Sequence, residues 1–433
     1  MFRAACRRDD GADFVDNCFV RSKGSHVAVR LTDRISLGVL AEVASRDLIE
    51  DVLVATGRRE KRKRLLPAHV MVRFCQAMCL FYEDDYQEVM NKLVESLRDM
   101  NSWSPEWDVP TTSAIAQARQ RLGFEPLREL CDRCAVPVAE SGTKGAWLAG
   151  RRLMAIDGFT LDVPDTPENV DEFGRSSNGS QQSAFAQVRV VALGECGSHA
   201  VIGAALGGCR TGEQALAERV VGRLESTMLV IADRNFYGFD LWRQYRATGA
   251  DLLWRVKSDL RLPVLRVLRD GSYLSVVMNP AIRAGARQRL LDAARDGAEL
   301  DPDQAAIVRV VAYEVPDRDG NGTGELICVI TSILDPQEVG AAELATAYHE
   351  RWEAENTIDE LKTHQRGPAR VLRSKSPNMV KQEIWALLLT HYSIRHLMCR
   401  AADEADVDPD RISFMRSLRI IRRQVARPAD FSP

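Results

Sequence analysis

Apolar positions recur every three or four residues from Ile35 onward, with Leu37, Val39, Leu40, Val43, Leu48, Ile49, Val52 and Leu53 completing the first run. That interval is what an amphipathic helix presents to a core. Further helical runs are predicted around residues 68 to 81, 84 to 98 and 111 to 135. The loop Trp103-Ser104-Pro105-Glu106-Trp107-Asp108-Val109-Pro110 interrupts them, and Thr111, Thr112 or Ser113 would cap the helix that follows. Near residue 150 the period changes. Leu153-Met154-Ala155-Ile156 runs into Asp157-Gly158, and Met228-Leu229-Val230-Ile231-Ala232 runs into Asp233-Arg234-Asn235. Continuous apolar runs of this length predict strands buried on both faces, each delivering a carboxylate at its carboxyl end.

Residues 184 to 194 and 199 to 206 predict a hairpin turning near Glu195-Cys196-Gly197-Ser198, followed by a helix from about Thr211 to Glu225. A short helix near 238 to 248 and a strand at Leu252-Leu253-Trp254-Arg255-Val256 come after Asp233. Residues 259 to 335 are mostly strand-like, a helix resumes near Pro336, and a last helical region covers 377 to 402. A mixed α/β layer fold with a β-rich insertion, preceded by an all-helical domain, is the expected architecture. Its expected divisions are a tail over 1–30, a helical domain over 31–147, a catalytic core over 148–402 with the insertion at about 259–335, and a basic tail over 403–433.

Composition narrows the class. The chain has 433 residues, 45% apolar and 27% charged, which suits a multidomain globular protein. The amino terminus lacks the apolar stretch of a secretory signal, and no apolar run is long enough to span a membrane, so a cytoplasmic location is expected. Ten scattered cysteines read as reduced core thiols, and Cys131-Asp132-Arg133-Cys134 has no second pair to complete a zinc site. A net charge of −3 hides basic patches at Arg58-Arg59-Glu60-Lys61-Arg62-Lys63-Arg64 and between Arg411 and Arg427. Each alone would be a solvated helix face; together they point toward polyanions.

Asp157, Asp233 and Glu355 lie 76 and 122 residues apart, so only folding can unite them. Clustered carboxylates repel unless cations neutralise them, and a hard oxygen set without Cys or His suits Mg²⁺ or Mn²⁺. Two such ions would support in-line phosphoryl transfer. Glu355 belongs to Tyr348-x-x-Arg351-x-x-x-Glu355-x-x-x-x-x-x-Lys362. On one helix these four fall within roughly 60° of one another, and Tyr348 and Lys362 would be about 21 Å apart along the axis. Asp359 lies on the same face and is a rival third ligand, while Glu355 could equally form a plain salt bridge with Arg351.

The Tyr-(2)-Arg-(3)-Glu-(6)-Lys spacing resembles, at all four positions, the carboxyl-terminal motif of insertion sequence 4 family transposases. These are members of the DDE group with an RNase H-like core. Ile156-Asp157-Gly158-Phe159-Thr160-Leu161-Asp162-Val163-Pro164-Asp165-Thr166 is similar to the family's first-aspartate region. Ile231-Ala232-Asp233-Arg234-Asn235-Phe236-Tyr237-Gly238 is similar to the second. Ala118-Arg119-Gln120-Arg121-Leu122-Gly123 resembles the helical domain that precedes the core. The resemblance selects Glu355 over Asp359. It implies two Mg²⁺ or Mn²⁺ ions held by Asp157, Asp233 and Glu355, with Tyr348, Arg351 and Lys362 contacting DNA near the cleaved phosphate. It also implies double-stranded DNA as partner, as element ends and as target, and self-association in a paired-end complex. Arg351, nearest Glu355, is expected at the scissile or adjacent phosphate, with Tyr348 and Lys362 on flanking ones. Arg62 and Lys63, in the helical domain, are expected DNA-backbone contacts. Some relatives trap a flipped base on a tryptophan of the insertion; residues 259 to 347 contain none.

The expected function is that of a transposase which cuts at its element's ends and joins them to target DNA. A DNA-binding regulator with the same fold and no chemistry is the alternative. A phosphatase built on Asp157-Gly158-Phe159-Thr160 would need an aspartate where Ala155 stands.

Overall fold

A computed structural model describes residues 42–62, 64–99, 109–178, 181–315, 325–367 and 371–425. Among the described residues, the helices α1 (Arg46–Ala55), α2 (Ala68–Leu80), α3 (Tyr86–Asp99), α4 (Thr112–Leu122) and α5 (Glu125–Cys134) precede the sheet. Thr111 caps α4, its hydroxyl accepting from the Ala114 amide at 3.3 Å. Gly123 ends that helix at φ +71, a left-handed turn that splits the expected run over 111 to 135 into α4 and α5.

The core sheet contains β1 (Arg151–Val163), β2 (Ala186–Glu195), β3 (Val201–Gly208), β4 (Met228–Ala232) and β5 (Asp251–Arg255), in the order β3-β2-β1-β4-β5. The first three pair antiparallel, and β4 and β5 run parallel to β1. That order and direction define an RNase H-like core. The insertion extends the same sheet past β5 through β8 (Glu325–Thr331), β7 (Ala305–Val315) and β6 (Tyr273–Met278) to the short edge strand Arg266–Val267. It is not all strand, because Ala284–Arg295 is helical. The hairpin lies where expected, and the helix predicted over 211 to 225 is one α turn at Glu213–Ala217 continued by the 3₁₀ turn Glu218–Arg223.

The last helices are α6 (Ala341–His349), α7 (Arg351–Asp359), α8 (Pro377–Glu404) and α9 (Phe414–Val425). α8 is buried nearly all round, as a helix in the middle of a large core must be. The amino-terminal helices and the carboxyl half of β1 share one apolar core with it. A buried polar joint fixes the join: Arg119 of α4 donates to Gln382 at 2.9 Å and to Ser374 at 3.0 Å. The stretch expected as a basic tail, 403–433, contains a packed helix in its described part. Residues 414–425 form α9, whose Phe414, Leu418, Ile421 and Val425 are buried, and its Arg422 donates to the Leu80 and Gln365 carbonyls at 2.6 and 3.1 Å rather than facing solvent. The tail over 1–30 lies outside the described residues.

Candidate active site

Asp157 is not at a strand end, as its sequence suggested. β1 continues to Val163, and Asp157 pairs in register with Ala192 of β2. The period-2 alternation of Phe159, Leu161 and Val163 carries the strand onward, because those side chains enter the helical core. What ends near Asp157 is the parallel ladder: Ile156 pairs with Ala232, the last residue of β4. Asp157 and Asp233 therefore follow the last paired residues of neighbouring strands. Leu153 and Ala155 of β1 share a core with Leu229 and Ile231 of β4, whereas Met154, Ile156, Val230 and Ala232 face the other side. By alternation both aspartates belong to the face carrying Leu153 and Leu229.

That face is covered by α6 and α7. Leu344, Ala347, Tyr348 and Ala354 pack on it, and Ile358 and Leu361 continue into the helical core. α7 thus lies across β1 and brings Glu355 and Arg351 within electrostatic reach of Asp157. The motif is not one straight helix. The Glu350 amide bonds the Ala347 carbonyl at 3.1 Å, and the Glu353 amide bonds Glu350 at 3.0 Å. These are both i→i−3 steps of a tightened turn between α6 and α7. After Asp359 the backbone widens into a π turn over Glu360–His364, which carries Lys362. The 21 Å track expected of an ideal helix is therefore interrupted twice.

Burial pushes the Asp157 carboxyl up from its ordinary 3.8 to about 6, with Glu355 and Glu213 adding to the effect. The Gly158 amide, donating to Asp157 Oδ1 at 2.7 Å, and the Arg351 guanidinium pull the other way and lose. Glu213 comes this close because residue 158 is glycine: a Cβ there would lie 2.8 Å from Glu213 Oε1. Asp233 is half-buried, and its carboxylate accepts no hydrogen bond among the described residues. Arg351 Nη2 donates to Glu355 Oε1 at 2.8 Å. Asp359, the rival ligand, sits 3.5 Å from His364 Nε2, and Glu355 rather than Asp359 bears on Asp157.

Tyr348 is only 4% exposed, so it does not stand on the surface as a contact to a distant phosphate would. Its hydroxyl is buried without a partner among the described residues, and burial raises its pKa far above the usual phenol value. Arg351, Asp233, Arg255 and Tyr313 are the groups around it. Lys362 is exposed, and Trp352, beside Arg351, is 47% exposed. Trp254 is fully buried against Trp242 and Tyr245, as its apolar strand predicts.

A second charged cluster anchors α7 from behind. His199 Nε2 lies 2.7 Å from Glu353 and 3.0 Å from Asp410, and Glu360 meets His391 at 3.0 Å and Arg395 Nε at 2.7 Å. Burial and Arg395 oppose a charge on His199, but Asp410, Glu353 and Glu360 outweigh them and raise it to about 10. Among the described residues, His199, Glu353 and Asp410 are the group whose ligand atoms all lie within 4.8 Å of one another; Asp157, Asp233 and Glu355 are not drawn together that tightly. His199 was not legible in the sequence as part of a site. It lies in the hairpin turn at φ +58, a conformation that only the fold reveals.

In the amino-terminal domain, Arg58, Lys61, Arg62, Arg64 and Arg121 surround a pocket of about 240 Å³ floored by Leu66, Met71 and Leu122. Glu60 lies 3.3 Å from Arg64 and 3.8 Å from Arg121, whereas Lys61 and Arg62 form no ion pair among the described residues. Lys63 lies outside the described residues. Cys131 and Cys134 are buried thiols donating to the Trp385 and Val43 carbonyls, as expected of core cysteines. No helix among the described residues is long and apolar enough to cross a membrane.

An RNase H-like sheet whose parallel ladder ends in two aspartates, under a helix bearing a glutamate, defines the class of metal-dependent enzymes that cut and join DNA strands. Comparison with known proteins gives the family. Residues 34–132 match the model of the insertion element 4 transposase N-terminal region, and residues 148–392 match that of the transposase DDE domain. The chain is 27% identical over 403 residues to the transposase InsG for insertion sequence element IS4 of Escherichia coli strain K12, spanning 92% of this chain and 85% of that one. It is also 27% identical over 221 residues to the putative transposase InsZ of the same strain, spanning 51% and 71%. A solved structure, the piggyBac transposase synaptic complex with hairpin DNA, aligns with a TM-score of 0.47 at 12% identity, over 90% of this chain and 82% of that one. The chain belongs to the DDE transposases and, within them, to the insertion sequence 4 family. It is an insertion-sequence transposase that binds DNA, and the enzymes of its family work with divalent metal ions.

Proposed function

We propose that Asp157, Asp233 and Glu355 hold a pair of Mg²⁺ or Mn²⁺ ions, and that this one site both cleaves the element ends and joins their 3′ hydroxyls to target DNA. The observation that carries the proposal is the register setting Asp157 beside Asp233 where the parallel ladder ends, with α7 laid across β1. The donor set fits hard cations. Asp157 is held near 6 by burial and by neighbouring carboxylates, a cost that a bound cation would relieve, and all three ligands offer oxygens. When bound, the ions supply activation of the attacking oxygen and stabilisation of the leaving one.

The chain's own residues do the rest. Arg351 turns from Glu355 toward a phosphate at the reacting centre, freeing the Glu355 carboxylate for its ligand role. The partnerless Tyr348 hydroxyl donates to an oxygen of the same phosphate or its neighbour. Lys362, exposed in the π turn, meets the strand further on. The helical domain, placed at residues 31–147, reads the terminal repeats, with Lys61, Arg62 and Lys63 on the DNA backbone. Two copies pair the two ends, and the enzyme works in the cytoplasm on the chromosome that carries its element. The test is Mg²⁺-dependent cleavage of a duplex containing the sequence that flanks the gene. Loss in Asp157→Ala and in Glu355→Ala supports the mechanism; full activity in either sinks it.

A further inference from the structure

The row of residues at the end of the parallel ladder has a third member. Ala232 of β4 pairs with Trp254 of β5, so the next residue of β5, Arg255, follows in line with Asp233 as Asp233 follows in line with Asp157. Alternation gives its side: Leu253 lies in the core beneath α6 and α7 with Leu229 and Ile231, while Trp254 lies in the opposite one. Asp157, Asp233 and Arg255 thus form one row across three strands on the face that α6 and α7 cover, each step about 4.8 Å.

The side chain is tethered at one end and free at the other. Arg255 Nη2 donates to Glu325 of β8, and the guanidinium forms no other hydrogen bond among the described residues. The Arg255 side chain is 15% exposed, but Glu325 is 61% exposed, so the acid is solvated and holds the guanidinium in place without depending on it. Arg255 and Arg351 both bear on the buried Tyr348 hydroxyl, which has no partner. Two guanidiniums and a phenol therefore lie together, the phenol hydroxyl without an acceptor among the described residues. The nearby acceptor, Asp233, is committed to the metal in the proposed mechanism. A phosphate diester, with two charged oxygens, is the chemistry that satisfies all three.

We infer that Arg255 is a third strand-borne residue of the active site and binds the DNA phosphate next to the scissile one. The inference rests on the transposase reading of Asp157 and Asp233. Arg255 lies one strand spacing beyond the second carboxylate, which places it for the neighbouring phosphate while Arg351 serves the reacting one.

The test is single-turnover cleavage in Mg²⁺ by the full chain, on a duplex of the genomic sequence flanking its gene. The duplex is made with natural phosphates or with single methylphosphonates, which lack the charge, near the cut. Arg255→Gln should cleave about 10- to 100-fold more slowly, the range of a charge-assisted hydrogen bond. It should bind the duplex within about twofold of the parent, because the many other backbone phosphates remain gripped. Arg255→Lys should recover part of the rate. One methylphosphonate position should slow the parent by the same factor and Arg255→Gln no further. Parental rates in Arg255→Gln, or losses that multiply with every methylphosphonate position, overturn the assignment. Equal losses in Glu325→Gln and Arg255→Gln overturn it too, by tracing the effect to the ion pair. Cleavage that survives Asp157→Asn and Asp233→Asn overturns instead the transposase reading of those carboxylates. Cleavage lost in both but undiminished in Arg255→Gln overturns the arginine's role alone.

Discussion

Asp157→Asn should stabilise the metal-free protein while abolishing its chemistry. Burial and the nearby Glu355 and Glu213 raise the Asp157 carboxyl from 3.8 to about 6. At about 1.4 kcal/mol per unit, an ionised Asp157 costs up to about 3 kcal/mol of folding stability, and roughly 2 kcal/mol after allowance for its partial exposure. The sign follows from proton binding: the folded carboxyl holds its proton more tightly than the unfolded one, so the cost is absent below about pH 4, grows toward pH 6 and is constant above. Asparagine removes the charge and keeps an oxygen for the Gly158 amide, now 2.7 Å away. Urea unfolding in chelator should therefore show Asp157→Asn about 2 kcal/mol more stable than the parent at pH 8, the gap closing toward pH 4. Magnesium should reverse the order, because a ligand at 100 times its dissociation constant adds about 2.7 kcal/mol to the protein that binds it. The parent's apparent Mg²⁺ affinity should also fall as pH drops below about 6, where Asp157 gains its proton. Destabilisation of the metal-free protein by Asp157→Asn at pH 8, or equal stabilisation of both proteins by Mg²⁺, would refute the reasoning.

Tyr348→Phe removes a buried hydroxyl that has no partner, so thermal stability should hold or rise slightly while cleavage falls about tenfold; a loss above about 2 kcal/mol would mean the hydroxyl is bonded within the protein. Arg395→Met leaves Glu360 buried without its guanidinium and should cost about 3–5 kcal/mol in chemical denaturation, with the π turn beneath Lys362 the first region to exchange its amides. Lys61→Ala with Arg62→Ala should weaken binding to any duplex and flatten the log–log salt dependence by about one unit for each phosphate no longer neutralised, with cleavage at saturating protein unchanged. Zinc chelators should leave the melting temperature unmoved, since Cys131 and Cys134 are buried and bonded to backbone carbonyls.

Much of this was legible along the chain because burial writes a period. The unbroken apolar runs before Asp157 and Asp233 are adjacent parallel strands, and the runs around 184 to 206 are the hairpin. Other features depend on partners that no local pattern carries. α9 reads as a basic tail because four arginines, Arg416, Arg419, Arg422 and Arg423, are interleaved with the four buried positions. The helix Ala284–Arg295 is concealed in a strand-like region by a weak apolar stripe that buries only Ala294. Ideal spacing made Tyr348 to Lys362 one continuous face, whereas the turn at Glu350 and the π turn at Glu360 are set by packing and by the Arg395 and His391 anchor. Arg255 had a signal, a charge closing an apolar strand, but its place beside Asp233 emerges only from the register.

Crystals of the full chain grown with Mn²⁺ and a duplex of the gene's flanking sequence, measured at the manganese edge, address the metal site directly. Two anomalous peaks about 3.5 to 4 Å apart, bounded by Asp157, Asp233 and Glu355, are the predicted result. Manganese at His199, Glu353 and Asp410, with none beside Asp157, would contradict it.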